Sequence, residues 1–92
     1  MPVMMISETE NQTEEGYNSL LGKVSDPLKQ APGFVLHMSH ATPQGWRVIE
    51  VWESRDHAAA FFAAHIAPKL PAGLRPKLTF QPLHDIVHPE WP

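Results

Sequence analysis

The hydrophobic pattern changes its period in the middle of the chain. Between residues 46 and 52, alternate side chains share one face, which carries Trp46, Val48, Glu50 and Trp52. Ser54, a residue that can cap a helix, comes next, and alanines, Phe61 and Phe62 then recur at helical spacing. A period of two followed by a period near 3.6 predicts a strand over residues 46–53 that leads directly into a helix over residues 54–67.

An amphipathic helix is predicted before this stretch. Residues 3–8 form a short apolar run that is typical of a first strand. Thr13 or Asn11 can then cap a helix whose apolar stripe comprises Tyr17, Leu20, Leu21, Val24 and Leu28. Pro27 predicts a kink or a restarted turn, because proline lacks the backbone N–H that a helix interior needs.

Two further strands complete the pattern. Over residues 33–40, we expect one face to carry Phe34, Leu36, Met38 and His40, and the other to carry Val35, His37 and Ser39. Residues 41–45 have the length of a hairpin turn between this strand and the next. Residues 77–83 alternate again, and Pro82 favours an edge position. Residues 85–92 are predicted to be a C-terminal tail that contains Trp91.

The predicted order is strand, helix, strand, strand, helix, strand. This βαββαβ order is that of the ferredoxin-like α+β fold, with two helices on one face of a four-stranded antiparallel sheet. We expect one domain over residues 1–92. The face away from the helices would carry Val35, Ile49 and Val51, and a second copy of the chain is the simplest cover for it. The pattern therefore predicts a homodimer.

The composition of the sequence argues against several classes of binding partner. The formal net charge of −3 and a pI near 6.0 argue against nucleic acid or an anionic membrane as partner. The sequence has no cysteine, which excludes a disulfide or a thiolate nucleophile. It has no apolar run long enough to span a membrane and no secretory signal, so we expect a cytoplasmic protein.

Glu50 is the sharpest candidate for chemistry. If its strand face meets the helices, a carboxylate lies in an apolar pocket, where burial would raise its pKa and suit it to proton transfer. The alternative is that Glu50 is partnered by Arg47, Arg75 or a histidine. Trp52, on the same face, could stack on a flat aromatic substrate or fill the core.

Six histidines are present, but their spacing predicts no metal site. His37 and His40 have opposite parity on one strand, and His57 and His65 do not chelate as a pair. His65 is instead a candidate acid, base or substrate anchor in the second helix.

Three features resemble the antibiotic biosynthesis monooxygenase superfamily of small dimeric α/β-barrel proteins. They are Ala-Pro-Gly-Phe at residues 31–34, Glu50-x-Trp52 closing the third strand, and the aromatic-rich helix that follows at once. The resemblance implies a hydrophobic pocket between sheet and helices, and in some members oxidation of aromatic polyketides by molecular oxygen without metal or flavin. For the heme-degrading branch, Trp52 matches, but residues 3–8 contain no asparagine and His65 lies about one turn late.

The resulting hypothesis is a monooxygenase that needs no cofactor and binds an apolar, aromatic small molecule. Glu50 and His65 would be catalytic, and Trp52, Phe62 and His37 would contact the substrate. Two alternatives stay open: a non-catalytic dimeric ligand-binding or structural module, and a heme-binding protein.

Overall fold

Strands and helices alternate in the predicted order. The computed structural model describes residues 1–90, so Trp91 and Pro92, at the end of the predicted tail, lie outside the described residues. The elements are β1 (Val3–Glu10), α1 (Glu14–Lys29), β2 (Phe34–Ala41), β3 (Gly45–Trp52), α2 (Arg55–Phe61) and β4 (Lys77–Pro82). The sheet order is β2-β3-β1-β4 and all neighbouring strands are antiparallel, which confirms the ferredoxin-like α+β fold. As Pro82 suggested, β4 is an edge strand.

Side-chain caps fix where both helices begin. The Thr13 hydroxyl accepts a hydrogen bond from the Gly16 N–H at 3.0 Å, so the helix begins after Thr13 and not after Asn11. Helix α1 continues through Pro27 to Lys29 without a new start, because Pro27 lies in the last turn, where its ring removes only one helical bond. None of the helices within residues 1–90 is long and apolar enough to cross a bilayer.

Helix α2 ends in irregular turns. After Phe61 the backbone continues as a π-helical turn (Phe62–Ile66) and then as a 3₁₀ turn (Ala67–Lys69). The segment covers the predicted length of the second helix, but the wider π turn changes the angle between successive side chains. Side chains after Phe61 therefore face directions that a continuous α-helix would not give.

The core lies between the helices and one face of the sheet. Trp52 is completely buried, and its ring contacts Phe34 and Phe61 at centroid distances of 5.5 and 5.6 Å. The buried cluster around it joins strands and helices and comprises Val3, Met5, Val24, Leu28, Trp52, Ala58 and Phe61. Because Trp52 and Glu50 share a strand face, this packing also turns Glu50 towards the helices.

A β-bulge corrects the predicted faces of β2. Phe34 pairs with Trp52, but the register then shifts and Leu36 pairs with Val51, so Val35 is the extra residue. The bulge reverses the parity of the strand after Phe34. His37 therefore lies opposite Glu50 on the helix-covered face, and Leu36 and Met38 lie on the other face. The expectation that Leu36 and Met38 share the face of Phe34, with His37 on the opposite face, is wrong for this reason.

Substitution by alanine should change the stability of the protein in opposite directions at Gly22 and at Gly45. Gly22 is an exposed position inside α1 where a Cβ would meet nothing, so Gly22→Ala should raise the free energy of unfolding by about 0.5–1 kcal/mol. At Gly45 a Cβ would collide with the backbone oxygen of Thr9, so Gly45→Ala should lower the free energy of unfolding by about 1–3 kcal/mol. Urea unfolding of both variants checks the pair, and equal effects would contradict the strand contact.

Candidate functional site

A chain of hydrogen bonds runs through the space between sheet and helices. Glu50 is 7% exposed, and its Oε1 accepts a hydrogen bond from Trp52 Nε1 at 2.9 Å. Its Oε2 lies 2.7 Å from His37 Nδ1, and His37 Nε2 lies 2.5 Å from the Tyr17 hydroxyl oxygen. Of the alternatives considered for Glu50, partnership with a histidine is the one observed.

The carboxylate of Glu50 determines which atoms donate in this chain of hydrogen bonds. An ionised Glu50 only accepts hydrogen bonds, so Nδ1 of His37 carries a proton and donates it to Oε2. In the neutral imidazole, Nε2 is then the acceptor, and the Tyr17 hydroxyl donates to it. The carboxylate thus fixes the His37 tautomer and leaves its basic nitrogen facing Tyr17.

Three elements position these groups. The bulge in β2 brings His37 opposite Glu50, and strand alternation in β3 puts Trp52 beside the same carboxylate. Tyr17, in the first turns of α1, stacks on His37 at a centroid distance of 6.1 Å and on Trp46 at 5.1 Å. Tyr17 is therefore held between the imidazole of His37 and a second aromatic ring.

A small cavity adjoins this chain of hydrogen bonds. Its volume is about 70 Å³, and its walls come from β1, β2, β3 and both helical segments. Apart from Tyr17, His37, Glu50 and a few other polar groups, the lining is apolar and includes Met5, Leu21, Val48, Phe61, Phe62 and Ile66. A dry cavity that binds benzene measures about 150 Å³, so this one holds less than an aromatic ring in the present conformation.

The residues predicted for the site divide into two groups. Glu50, His37 and Phe62 line the cavity. Trp52 is fully buried and packs in the core, where its N–H holds Glu50, so its ring has no face open to a substrate. Of the two roles considered for Trp52, packing in the core is the one that the structure describes.

His65 lies outside the cavity. Its ring stacks on Phe61 at a centroid distance of 4.7 Å and lines a separate groove beside Pro27 and Ala31. Phe61 lies between Trp52 and His65, and the π-helical turn carries His65 to this outer side. Among residues 1–90, no group of three or more His, Asp and Glu side chains could hold a metal ion.

The sequence pattern does not reveal the roles of two cavity residues. Tyr17 fits the apolar stripe of α1, and Trp46 fits the alternation of β3. The available signal was the hydroxyl of Tyr17, since a tyrosine on the buried face of a helix needs a hydrogen-bond partner.

The Tyr17 hydroxyl is held in its neutral form. Burial raises its pKa above the ordinary value of 10.0, and the negative charge of Glu50 raises it further, while a hydrogen bond with Ser39 opposes the change. The hydroxyl can therefore pass a proton on without persisting as a tyrosinate.

Comparison with solved structures identifies proteins that share this fold. No protein-family model matches the sequence, and no curated protein matches it at a significant level. The crystal structure of SnoaB, a cofactor-independent oxygenase from Streptomyces nogalater, superposes with a TM-score of 0.70 at 17% identity, covering 94% of this chain and 96% of that one. The chain has the fold of this oxygenase.

A second protein has the same architecture. A candidate monooxygenase from Shewanella loihica PV-4 superposes with a TM-score of 0.64 at 16% identity, covering 92% of this chain and 96% of that one. Both comparisons agree with the fold that the sequence resemblance implied. At such identities the likeness to SnoaB and to this protein concerns the fold.

Tyr17 gives a direct test of its own environment, because it is the only tyrosine in the sequence. We expect its ultraviolet titration in the folded protein to have a midpoint above 10.0. The unfolded state then loses the Tyr17 proton first, so stability present below pH 10 should fall as pH rises towards the folded pKa. Tyr17→Phe should remove that part of the pH dependence of unfolding. A midpoint at or below 10 would contradict the burial.

Proposed function

We propose that this protein is an oxygenase that works without a cofactor and removes a proton from an acidic phenol or enol bound in the cavity. The observation that carries the proposal is the chain Trp52–Glu50–His37–Tyr17, which presents an oriented base at an apolar cavity. The fold shared with SnoaB supports the same class of reaction.

His37 acts as the base and Glu50 as its positioning residue. The Tyr17 hydroxyl donates to His37 Nε2, and its oxygen, which also bonds Ser39, has a second lone pair that can accept from a substrate hydroxyl. The substrate proton passes to the Tyr17 oxygen as the Tyr17 proton passes to Nε2. The imidazolium that forms is stabilised by Glu50 at 2.7 Å from Nδ1.

Dioxygen then supplies the oxidising power. The deprotonated substrate transfers an electron to dioxygen, and the resulting radical pair combines to form a carbon–oxygen bond. The peroxide anion then takes back the proton held by the His37 imidazolium and becomes a hydroperoxide. Loss of water across the O–O bond converts a CH₂ group into a carbonyl, so one oxygen atom enters the product and the other leaves as water. All electrons that reduce dioxygen come from the substrate, and the protein supplies a base, orientation and a dry site.

A ring-sized substrate requires one wall to move, since the cavity measures about 70 Å³. The wall formed by Phe62, Ile66, Leu70 and Pro76 is the candidate, because it comes from the π turn and the segment after it. The small volume also favours the second candidate function, a non-catalytic module in which the buried chain of hydrogen bonds only orders the core.

Air oxidation of hydroxylated anthrones separates these candidates. We expect His37→Gln to lower the enzyme-dependent rate by about 100-fold or more, since the base is removed. His40→Gln is the matched control, because His40 lies on the other face of the same strand and bonds Ala41 and Arg47. Absorbance of the quinone product gives the rate.

Glu50→Gln provides a second arm of this experiment. Both neighbours of the carboxylate donate to it, whereas an amide offers one acceptor oxygen and one donor nitrogen. Either Trp52 loses its acceptor or His37 reverses its tautomer, so the rate should fall with that of His37→Gln. Full activity in both variants, or loss of activity only in His65→Gln, would overturn the assignment of His37 and Glu50. If the unchanged protein shows no turnover, the result favours the non-catalytic module.

We further propose that the uncovered sheet face, defined by Met4, Ile6, Leu36, Met38 and Ile49, is covered by a second copy of the chain. The helices pack on the opposite face, around Met5 and Trp52. Met38 is 51% exposed although it lies in the middle of a strand. A contiguous apolar surface of this kind is typical of an interface between chains.

Hydrodynamic mass tests the second copy. We expect twice the chain mass of 10.3 kDa for the unchanged protein, and a shift towards a single chain for Met38→Lys, which buries a charge in the interface. Val87→Lys is the matched control, because Val87 is 93% exposed and lies outside the sheet. A mass of one chain at all concentrations would contradict the proposal.

A further inference from the structure

Trp46 carries a buried donor without an acceptor. Its indole Nε1 is shielded from solvent and, within residues 1–90, has no hydrogen-bond partner. By contrast, the indole N–H of Trp52 is satisfied by Glu50. An unsatisfied buried N–H destabilises the folded state, so such groups are rare in folded proteins and call for an explanation.

The position of Trp46 links it to the cavity. Its side chain lines both the apolar cavity and a larger polar groove of about 610 Å³, whose other walls include Thr9, Gln44 and Arg75. It therefore stands where the cavity meets the groove. A ligand that entered the cavity from this side would pass the indole first.

Trp46 is also adjacent to the proposed proton path. Its ring stacks on Tyr17 at a centroid distance of 5.1 Å, and Tyr17 is the group that contacts His37. A residue in the cavity wall thus carries an unused donor and stacks on the group that would receive a substrate proton. A hydroxyl that loses its proton at Tyr17 needs a neighbouring donor to stabilise the resulting negative oxygen.

We propose that Trp46 Nε1–H is the hydrogen-bond donor for the substrate oxygen that becomes an oxyanion. The inference rests on the proposed function and specifies its substrate class: an aryl or enol hydroxyl whose oxygen contacts Trp46 and Tyr17 together. Trp46 contacts the substrate and favours its ionised form, whereas His37 removes the proton. The indole N–H is left without an internal acceptor because its acceptor belongs to the ligand.

The test uses 2-naphthol as a probe and naphthalene as the ligand control. Trp46→Phe keeps an aromatic ring against Tyr17 but removes the N–H. We expect the variant to bind naphtholate about tenfold or more weakly, the effect of losing one hydrogen bond to a charged group, and naphthalene within about twofold. Absorbance titration of bound naphthol should show a lower apparent pKa in the unchanged protein than in the variant.

The outcomes separate this inference from the proposed function. Equal naphtholate binding by both proteins, or equal loss of naphtholate and naphthalene, would overturn the role of Trp46 even if His37→Gln abolishes turnover. Selective loss of naphtholate would support it even if no substrate is oxidised. Failure of the unchanged protein to bind either ligand would overturn both.

Discussion

The carboxylate of Glu50 holds the interior of this protein together. Its two oxygens bond an indole from its own strand and an imidazole from the neighbouring strand, and all three side chains lie under the helices. Removing the carboxylate would leave Trp52 and His37 with buried donors, each costing about 1–3 kcal/mol. Because Trp52 is also the centre of the apolar core, the polar chain and the hydrophobic packing depend on the same few atoms.

The irregular end of α2 gives the cavity a different character on its two sides. The sheet side is fixed by ladder hydrogen bonds and by the pairing of β3 with both β1 and β2. The other side includes residues of a π turn and of the segment that follows it, and π turns inside helices are frequent at functional sites. The imidazole of His37 is thus held on the side with ladder hydrogen bonds, while the wall that the proposed function requires to move belongs to the side with irregular turns.

The sequence predicted most of the scaffold and part of the site. Strand alternation was sufficient to place Glu50 and Trp52 on one face, and the capping residues Thr13 and Ser54 located the helix starts, because these signals are local. The faces of β2 were wrong, since nothing in an alternating run reveals that Val35 will bulge. The side of α2 on which His65 lies could not be predicted either, because a π turn changes the helical angle without a clear sequence signal. The roles of Tyr17 and Trp46 depend on contacts between distant parts of the chain.

The bulge at Val35 also bears on how such a protein could acquire or lose chemistry. If Val35 instead took a regular place in the ladder opposite Val51, the strand would keep the same anchor at Phe34, but Leu36 would lie opposite Glu50. The interior would then receive Leu36, and the imidazole of His37 would face outwards. In a sheet of this size, a slip of one position in the pairing can therefore convert a polar chamber into an apolar one, without any substitution among the side chains themselves.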